Sequence, residues 1–181
     1  MRSATILVMI CLAATVSADP MQWPVSEGGN GHYYEFVLGH GSTSWNDACE
    51  AASLMAWDGL PGHLVTLTSA EENAWVFTTF NPQDGAHVGG RQLPDGLEPD
   101  GGWTWITGED WDYENWHSGE PNNSHVGPNG EEDGLRLNYV GGWNDYDIDY
   151  LHGTGDFIVE YESAPVAVDK LKWGGTKALY Q

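Results

Sequence analysis

The feature that most constrains the fold of this chain is a long acidic stretch with almost no cationic side chains. Of the 27 Asp and Glu residues, all but Asp169 lie between residues 19 and 165, where Arg91 and Arg136 are the only Lys or Arg residues. Such a stretch resists compaction by self-repulsion unless bound cations neutralise part of its charge, and it repels nucleic acids and anionic membranes. The chain also has 10 Trp and 8 Tyr residues, which offer ample apolar area for an ordered core.

Both ends of the chain are predicted to lie outside the folded domain. Residues 1–18 combine Arg2, an apolar run and small residues at 16–18, which is the pattern of a signal peptide, and no segment is apolar over the length of a membrane span. We therefore expect a protein that is secreted or at the cell surface, with one domain over residues 19–163 and a tail of unknown role at 164–181. Cys49 is the only cysteine beyond residue 18, so stability must come from the core, from bound metal or from both.

Local patterns predict an α+β domain with two helices and a series of short strands. Ser44 is a candidate N-cap for a helix whose apolar positions run from residue 45 to 55, and residues 59–62 are predicted to end it. Ser69 and Glu72 have the spacing of a capping box for a second helix that reaches residue 80. Aromatic and β-branched runs predict strands at residues 32–38, 63–67, 86–90, 103–107, 135–140, 142–145 and 157–161.

A hydrophilic stretch at residues 119–133 has one aliphatic side chain, although Trp116 and Leu135 frame it. Together with residues 143–145 it offers carboxylate and amide oxygens, the donors that Ca²⁺ binds in sets of six to eight. A zinc site would need Cys or His ligands, and His125 is a single candidate. On spacing alone, the alternative of a solvated acidic loop stays open.

Short motifs in a fixed order make the chain resemble a C-type lectin-like domain over about residues 33–162. The motifs nearest the hydrophilic stretch are Glu120-Pro121-Asn122, Glu132-Asp133 and Trp143-Asn144-Asp145. The other matches, in chain order, are Ser44-Trp45 and residues 62–67, 69–73, 87–90, 102–105, 113–116 and 157–160. The resemblance implies the C-type lectin fold, in which two helices and short antiparallel strands carry a long calcium-binding loop region.

The resemblance also implies a calcium site that binds sugar and performs no catalysis. Its implied Ca²⁺ ligands are Glu120, Asn122, Glu132, Asn144 and Asp145, with the backbone carbonyl of Asp145 as a further donor. Two vicinal sugar hydroxyls would replace water on the ion, donate to the two glutamates and accept from the two asparagines. Glu-Pro-Asn resembles the mannose-type version of the motif, so the expected partner is a mannose-type glycan or a surface glycoprotein. The proline of this motif is expected to follow a cis peptide bond.

The chain departs from the family pattern at three places. Val159 and Gly134 stand where the family has core cysteines, a loss that is familiar in bacterial domains of this type. The loop between Glu120 and Glu132 is several residues longer than usual, which bears on the reach of Glu132. A second family calcium site would lack one carboxylate, because its donors would be Asp133, acids of residues 95–100 and the amide of Asn123.

Two other functions compete with sugar binding. An adhesive domain could keep the fold and a structural Ca²⁺ while binding a protein instead of a glycan. A hydrolase could use Glu131, Glu132 or Asp133 as its acid and base. Paired catalytic carboxylates need an apolar pocket that raises one pKa, and the hydrophilic stretch offers none.

Overall fold

A computed structural model describes residues 19–39, 41, 43–94, 96–124, 130–151 and 153–162. The predicted signal peptide and tail lie outside the described residues, as do residues 125–129 of the hydrophilic stretch. Within the described ranges the chain forms two helices, one 3₁₀ turn and nine strands, which confirms the predicted α+β class. None of the helices in this part of the chain is long and apolar enough to cross a membrane.

The elements follow one another in short segments. The helices are α1 at Trp45–Ser53 and α2 at Ala70–Phe80, and the 3₁₀ turn is at Val25–Glu27. The strands are β1 Met21–Gln22, β2 Tyr33–Val37, β3 Ala56–Trp57, β4 Leu60–Leu64, β5 Ala86–Gln92, β6 Trp103–Trp105, β7 Gly134–Leu137, β8 Trp143–Tyr146 and β9 Phe157–Tyr161.

The strands join in one sheet that brings the two ends of the described chain together. Its main path runs β1-β2-β9-β5-β7-β8, with β4 also paired to β9 and β6 to β5. Strand β2 is antiparallel to β9, whereas β5 meets β9 in parallel. At the far edge, β7 and β8 form an antiparallel pair in which Leu135 lies opposite Asp145 and Arg136 lies opposite Asn144. The candidate ligands Asn144 and Asp145 therefore lie on the last strand of this path.

The core is largely aromatic, and it reaches the region of the candidate site. Trp105 and Trp143 are 2% and 0% exposed, and their rings meet edge to face with centroids 5.6 Å apart. Trp116 packs on Trp143 in the same manner at 5.8 Å. Such pairs contribute about 0.5–1.5 kcal/mol each beyond the burial of their area. These contacts anchor the start of β8 in the core.

Both helices begin at the predicted N-caps. At α1, the Asp47 N–H donates to Ser44 Oγ and the Ser44 N–H donates to Asp47 Oδ2, at 3.1 and 3.3 Å, which completes a capping box. At α2, the Glu72 N–H donates to Ser69 Oγ at 3.1 Å, but the Glu72 carboxylate accepts from the Thr68 N–H. The predicted capping box at α2 is therefore wrong in one of its two hydrogen bonds. The Glu72 carboxylate does not cap the Ser69 N–H, because it bonds to Thr68 and Tyr34 instead.

The strand predicted at residues 63–67 is also wrong in its bounds, since β4 is Leu60–Leu64. Asp58 and Gly59 both have positive φ, 48° and 81°, and form a two-residue turn between β3 and β4. A turn of this kind suits a hairpin because its twist matches that of the strands. The predicted end of α1 at residues 59–62 is therefore a hairpin, and the Asp-Gly pair is the local signal for it.

Two carboxylates are buried far from the hydrophilic stretch, at Glu72 on α2 and Glu160 on β9. Glu160 bonds to the His32 ring at 2.7 Å and accepts from the Thr66 N–H at 3.1 Å. Glu72 accepts from the Tyr34 hydroxyl at 2.7 Å. Burial first, and then the charge of Glu160, raise the pKa of Glu72 from 4.5 to about 7. Hydrogen bonds thus hold some acids of this chain inside the fold.

Candidate functional site

The candidate site is built on β8, which Trp143 anchors in the core. Side chains alternate along a strand, so Trp143 and Asp145 share one face and Asn144 lies on the other. Asp145 is 1% exposed and Asn144 is half-buried, in agreement with this alternation. The carboxylate of Asp145 is therefore held by a strand at the edge of the core and not by a solvated loop.

The segment that follows Glu120 is tied to Asp145. The Glu120–Pro121 peptide bond is cis, as the resemblance implies. The N–H groups of Asn122 and Asn123 both donate to Oδ2 of Asp145, at 2.9 and 2.7 Å. The other oxygen of Asp145, Oδ1, is buried and accepts no hydrogen bond from an N–H or hydroxyl group. Oδ2 thus holds the segment in place, and Oδ1 is available to bind a metal ion.

Glu132 reaches the same place from the other arm of the loop. It is 3% exposed, and its Oε2 accepts the Ser124 N–H at 2.6 Å. The Glu132 N–H in turn donates to Oδ1 of Asn123 at 3.0 Å. The greater length of the loop therefore does not separate Glu132 from the Glu120-Pro121-Asn122 motif.

The carboxylates of Glu120, Glu132 and Asp145 repel one another. Loss of water contact raises the pKa of Glu120 most, and the hydrogen bond to Asp145 and the charges of Asp145 and Glu132 raise it further, to about 7. A divalent cation would relieve the same repulsion, because it neutralises more than one carboxylate at once.

The two candidate amide ligands differ in their contacts. Asn122 is exposed, and its Nδ2 donates to Oε2 of Glu120. The Nδ2 of Asn144 donates to the backbone carbonyl of its neighbour Asp145 at 2.5 Å. Hydrogen bonds thus connect four of the five predicted ligand residues, some through Asn123 and Ser124, whereas the Asn144 side chain lies on the other face of β8.

The donor set fits a hard divalent cation. It consists of three carboxylates and two amides, which are oxygen donors of the kind that Ca²⁺ prefers, and Asp145 adds a buried oxygen without an N–H or O–H partner. Within the described ranges, no three His, Cys, Asp or Glu side chains form a metal-binding group by themselves. Binding an ion here would therefore draw on the amide oxygens and the Asp145 carbonyl as well as the carboxylates.

Of the donors expected for a second family calcium site, Asn123 is engaged with the arm of Glu132. The side chain of Asn123 bonds to the Glu131 carboxylate at 2.6 Å and to the Glu132 N–H. Partial burial, and then the charges of Glu131 and Asp147, raise the pKa of Asp133. Asp95, one of the expected acids, lies outside the described residues.

Sequence reasoning missed the parts that Asn123 and Asp147 play at this end of the sheet. Asn123 is 8% exposed and has a φ of 45°, a region where Asn is enriched among non-glycine residues. Asp147 is 1% exposed, with Oδ2 buried and without a hydrogen-bond partner. The alternation that turns Trp143 and Asp145 inward extends to Asp147 and could have predicted its burial.

Curated proteins match this chain over part of its length. No protein-family model matches the chain. It is 31% identical over 145 residues to halomucin of Haloquadratum walsbyi, a match that covers 73% of this chain and 1% of halomucin. It is 32% identical over 106 residues to a perlucin-like protein of Mytilus galloprovincialis, which covers 56% of this chain and 61% of that protein. The chain therefore spans less than two thirds of either relative.

Comparison with solved structures agrees with the motifs. The C-type carbohydrate-recognition domain of cow CD23, solved in the presence of a GlcNAc2Man3 oligosaccharide, is 26% identical with a TM-score of 0.57. The match covers 74% of this chain and 89% of that domain. The ordered motifs, the fold and these matches together show that the chain has the C-type lectin fold and is similar to C-type lectin-like domains.

Proposed function

We propose that this chain is a calcium-dependent carbohydrate-binding domain that performs no catalysis. The observation that carries the proposal is the Asp145 carboxylate. Its buried Oδ1 accepts no N–H group, and it lies close to the acid Glu120, on which the charge of Glu132 also acts. Among the described residues, close ion pairs join His32 to Glu160 and His63 to Glu162. A bound cation is the partner that suits such a group of acids.

The five side chains divide their contacts between the ion and the sugar. Bound Ca²⁺ would supply coordination positions at which two vicinal sugar hydroxyls replace water. Glu120 and Glu132 would accept the protons of those hydroxyls, and the amides of Asn122 and Asn144 would donate to their oxygens. Asp145 would bind the ion through Oδ1, while Oδ2 accepts the two backbone N–H groups.

A mannose-type sugar is the proposed ligand. The support is the Glu120-Pro121-Asn122 motif, together with the oligosaccharide present with the related cow CD23 domain. The same five residues are proposed as the calcium ligands, so loss of the metal should abolish recognition of the glycan.

We further propose that residues 1–18 are removed as a signal peptide and that the domain spans residues 19–163. The mature protein would then be secreted or held at the cell surface, where glycans are accessible. The tail at residues 164–181 has no assigned role in this proposal.

A glycan array read in Ca²⁺ and in EDTA tests the proposal. We expect binding to mannose-type glycans in Ca²⁺ and its loss in EDTA. Glu132→Gln should abolish the signal, because it removes a ligand charge with little change of shape. The matched control is Asp112→Asn, which changes an exposed carboxylate outside the site and should bind as the wild type does.

Binding that persists in EDTA, or galactose bound as well as mannose, would contradict the proposed mechanism or specificity. An empty array combined with capture of a protein that free mannose does not displace would favour the adhesive function.

A further inference from the structure

We infer that Asn123 is a positioning residue, which binds no ion itself but cross-links the two ligand-bearing arms of the loop. This inference rests on the proposed function, because it concerns how the same site is assembled. Asn123 follows the candidate ligand Asn122 directly and is buried, with a φ of 45°. Its side-chain amide contacts the second arm at Glu131 and Glu132.

Three hydrogen bonds of Asn123 join three separate segments. Its N–H donates to Oδ2 of Asp145 on β8 at 2.7 Å. Its Oδ1 accepts the Glu132 N–H at 3.0 Å, and its Nδ2 donates to Oε2 of Glu131 at 2.6 Å. The first bond ties the arm of Asn122 to the sheet, and the other two tie it to the arm of Glu132.

An amide is the side chain that these contacts require. One end must accept from a backbone N–H, and the other must donate to a carboxylate, and only an amide of this size does both. An Asp at this position would face the Glu131 carboxylate at the distance of a hydrogen bond, with no proton between them. That like-charge contact would call for an additional cation in a segment that is already acidic.

The cross-link lowers the cost of assembling the site. The two arms are separated along the sequence, and bringing two separate segments of a chain together costs conformational entropy. Where the arms are already joined in the folded protein, less of that cost falls on calcium binding. Asn123 therefore sets the calcium affinity through the placement of Asn122 and Glu132, without contact with the ion.

A calorimetric comparison of two glycine variants tests this role. Asn123→Gly removes the cross-link, keeps the net charge and relaxes the positive φ, so the variant should fold. Ser124→Gly adds the same backbone freedom one residue later and keeps the cross-link. We expect the calcium Kd to rise about tenfold in Asn123→Gly and to stay near the wild-type value in Ser124→Gly. Equal affinities in Asn123→Gly and the wild type would overturn the inference.

A charge-swap series in EDTA tests the cross-link without any metal. Asn123→Asp should lower the melting temperature, because it sets a carboxylate against Glu131. Adding Glu131→Gln should restore most of the loss, since the new amide can donate to the new carboxylate, whereas Glu131→Gln alone should have little effect. Absence of rescue in the double variant would overturn the cross-link. A wild type that binds no calcium would refute the proposed function, and the EDTA series would still decide whether Asn123 joins the arms.

Discussion

At the scale of single residues, Asp145 is both a candidate ligand and a structural acceptor. Its Oδ2 holds the N–H groups of Asn122 and Asn123, which would otherwise lack this partner. Asn144 makes only a local contact, from its own Nδ2 to the neighbouring backbone carbonyl. The two neighbouring candidate ligands therefore differ in what they contribute to the fold.

This difference predicts that Asp145→Ala and Asn144→Ala differ in their free energy of unfolding but lose sugar binding alike. Both should abolish calcium-dependent sugar binding, because each removes a proposed ligand oxygen. In EDTA, Asp145→Ala should lower the free energy of unfolding by about 1–3 kcal/mol, since it leaves backbone donors unpaired. Asn144→Ala should change the free energy of unfolding little. Urea unfolding in EDTA and calorimetry with Ca²⁺ measure the two effects, and an unchanged Ca²⁺ affinity in both variants would exclude these residues as ligands.

At the scale of elements, the buried Glu72 couples α2 to the sheet. Its carboxylate accepts from the Tyr34 hydroxyl on β2 and from Asn30 and Thr68, and the charge of Glu160 on β9 acts on it. The first turn of α2 is thus joined to β2 and the segment before it through one acidic side chain. Its protonation should therefore affect the stability of the whole sheet.

The shifted pKa of Glu72 predicts a pH-dependent stability. Because its folded pKa is about 7 and its ordinary value is 4.5, the folded state binds the proton more tightly. This contribution is complete below about pH 4.5 and is lost as the pH rises through about 7. Burial lowers the pKa of His32, but its bond to Glu160 and nearby acids raise it above 6.5 overall, so His32 acts in the same direction.

We therefore expect Glu72→Gln to reduce the loss of stability between pH 5 and pH 8. Urea unfolding in EDTA at the two pH values measures it. The matched control is Glu71→Gln, which changes an exposed carboxylate in the same turn and should keep the pH dependence of the wild type. An unchanged pH dependence in Glu72→Gln would show that this carboxyl does not titrate between the two values.

At the scale of the whole molecule, acidic charge has few cationic partners. Within the described part of the chain, the ion pairs within 4 Å are His32 with Glu160 and His63 with Glu162. Arg136 instead donates to the backbone carbonyls of Asp84 and Gly85 and lies over the Tyr146 ring. The fold therefore keeps a strong net negative charge, and its stability should respond to bound cations.

This charge predicts that Ca²⁺ stabilises the fold. A ligand that binds only the folded state adds about 2.7 kcal/mol to the free energy of unfolding at one hundred times its Kd. The melting temperature should rise in Ca²⁺, rise less at acidic pH where protons compete for the carboxylates, and respond weakly to Mg²⁺. A potassium salt of equal ionic strength separates specific binding from screening. Identical melting curves in millimolar Ca²⁺ and in EDTA would contradict the prediction.

The amino-acid sequence by itself determined the features that depend on neighbours along the chain. The N-caps at Ser44 and Ser69 and the order of the lectin motifs all follow from short patterns, because capping and alternation act over a few residues. The aromatic core followed from composition, since Trp side chains of this number must be buried. The fold class was predicted on these grounds and is confirmed, and the predicted resemblance to C-type lectin domains agrees with the solved structures.

Only the tertiary structure decided how the site is held. The Asp145 carboxylate accepts from the N–H groups of Asn122 and Asn123, which lie 23 and 22 positions before it, because the loop that carries them packs against β8. Tertiary packing also places Asn123 against Glu131. It likewise brings the buried Glu72 to Asn30, which lies 42 positions away in the sequence. Contacts of this range depend on the packing of the sheet and of the loop on it. No local pattern specifies them, because the same short sequences could point their side chains to water if the sheet did not place a partner there.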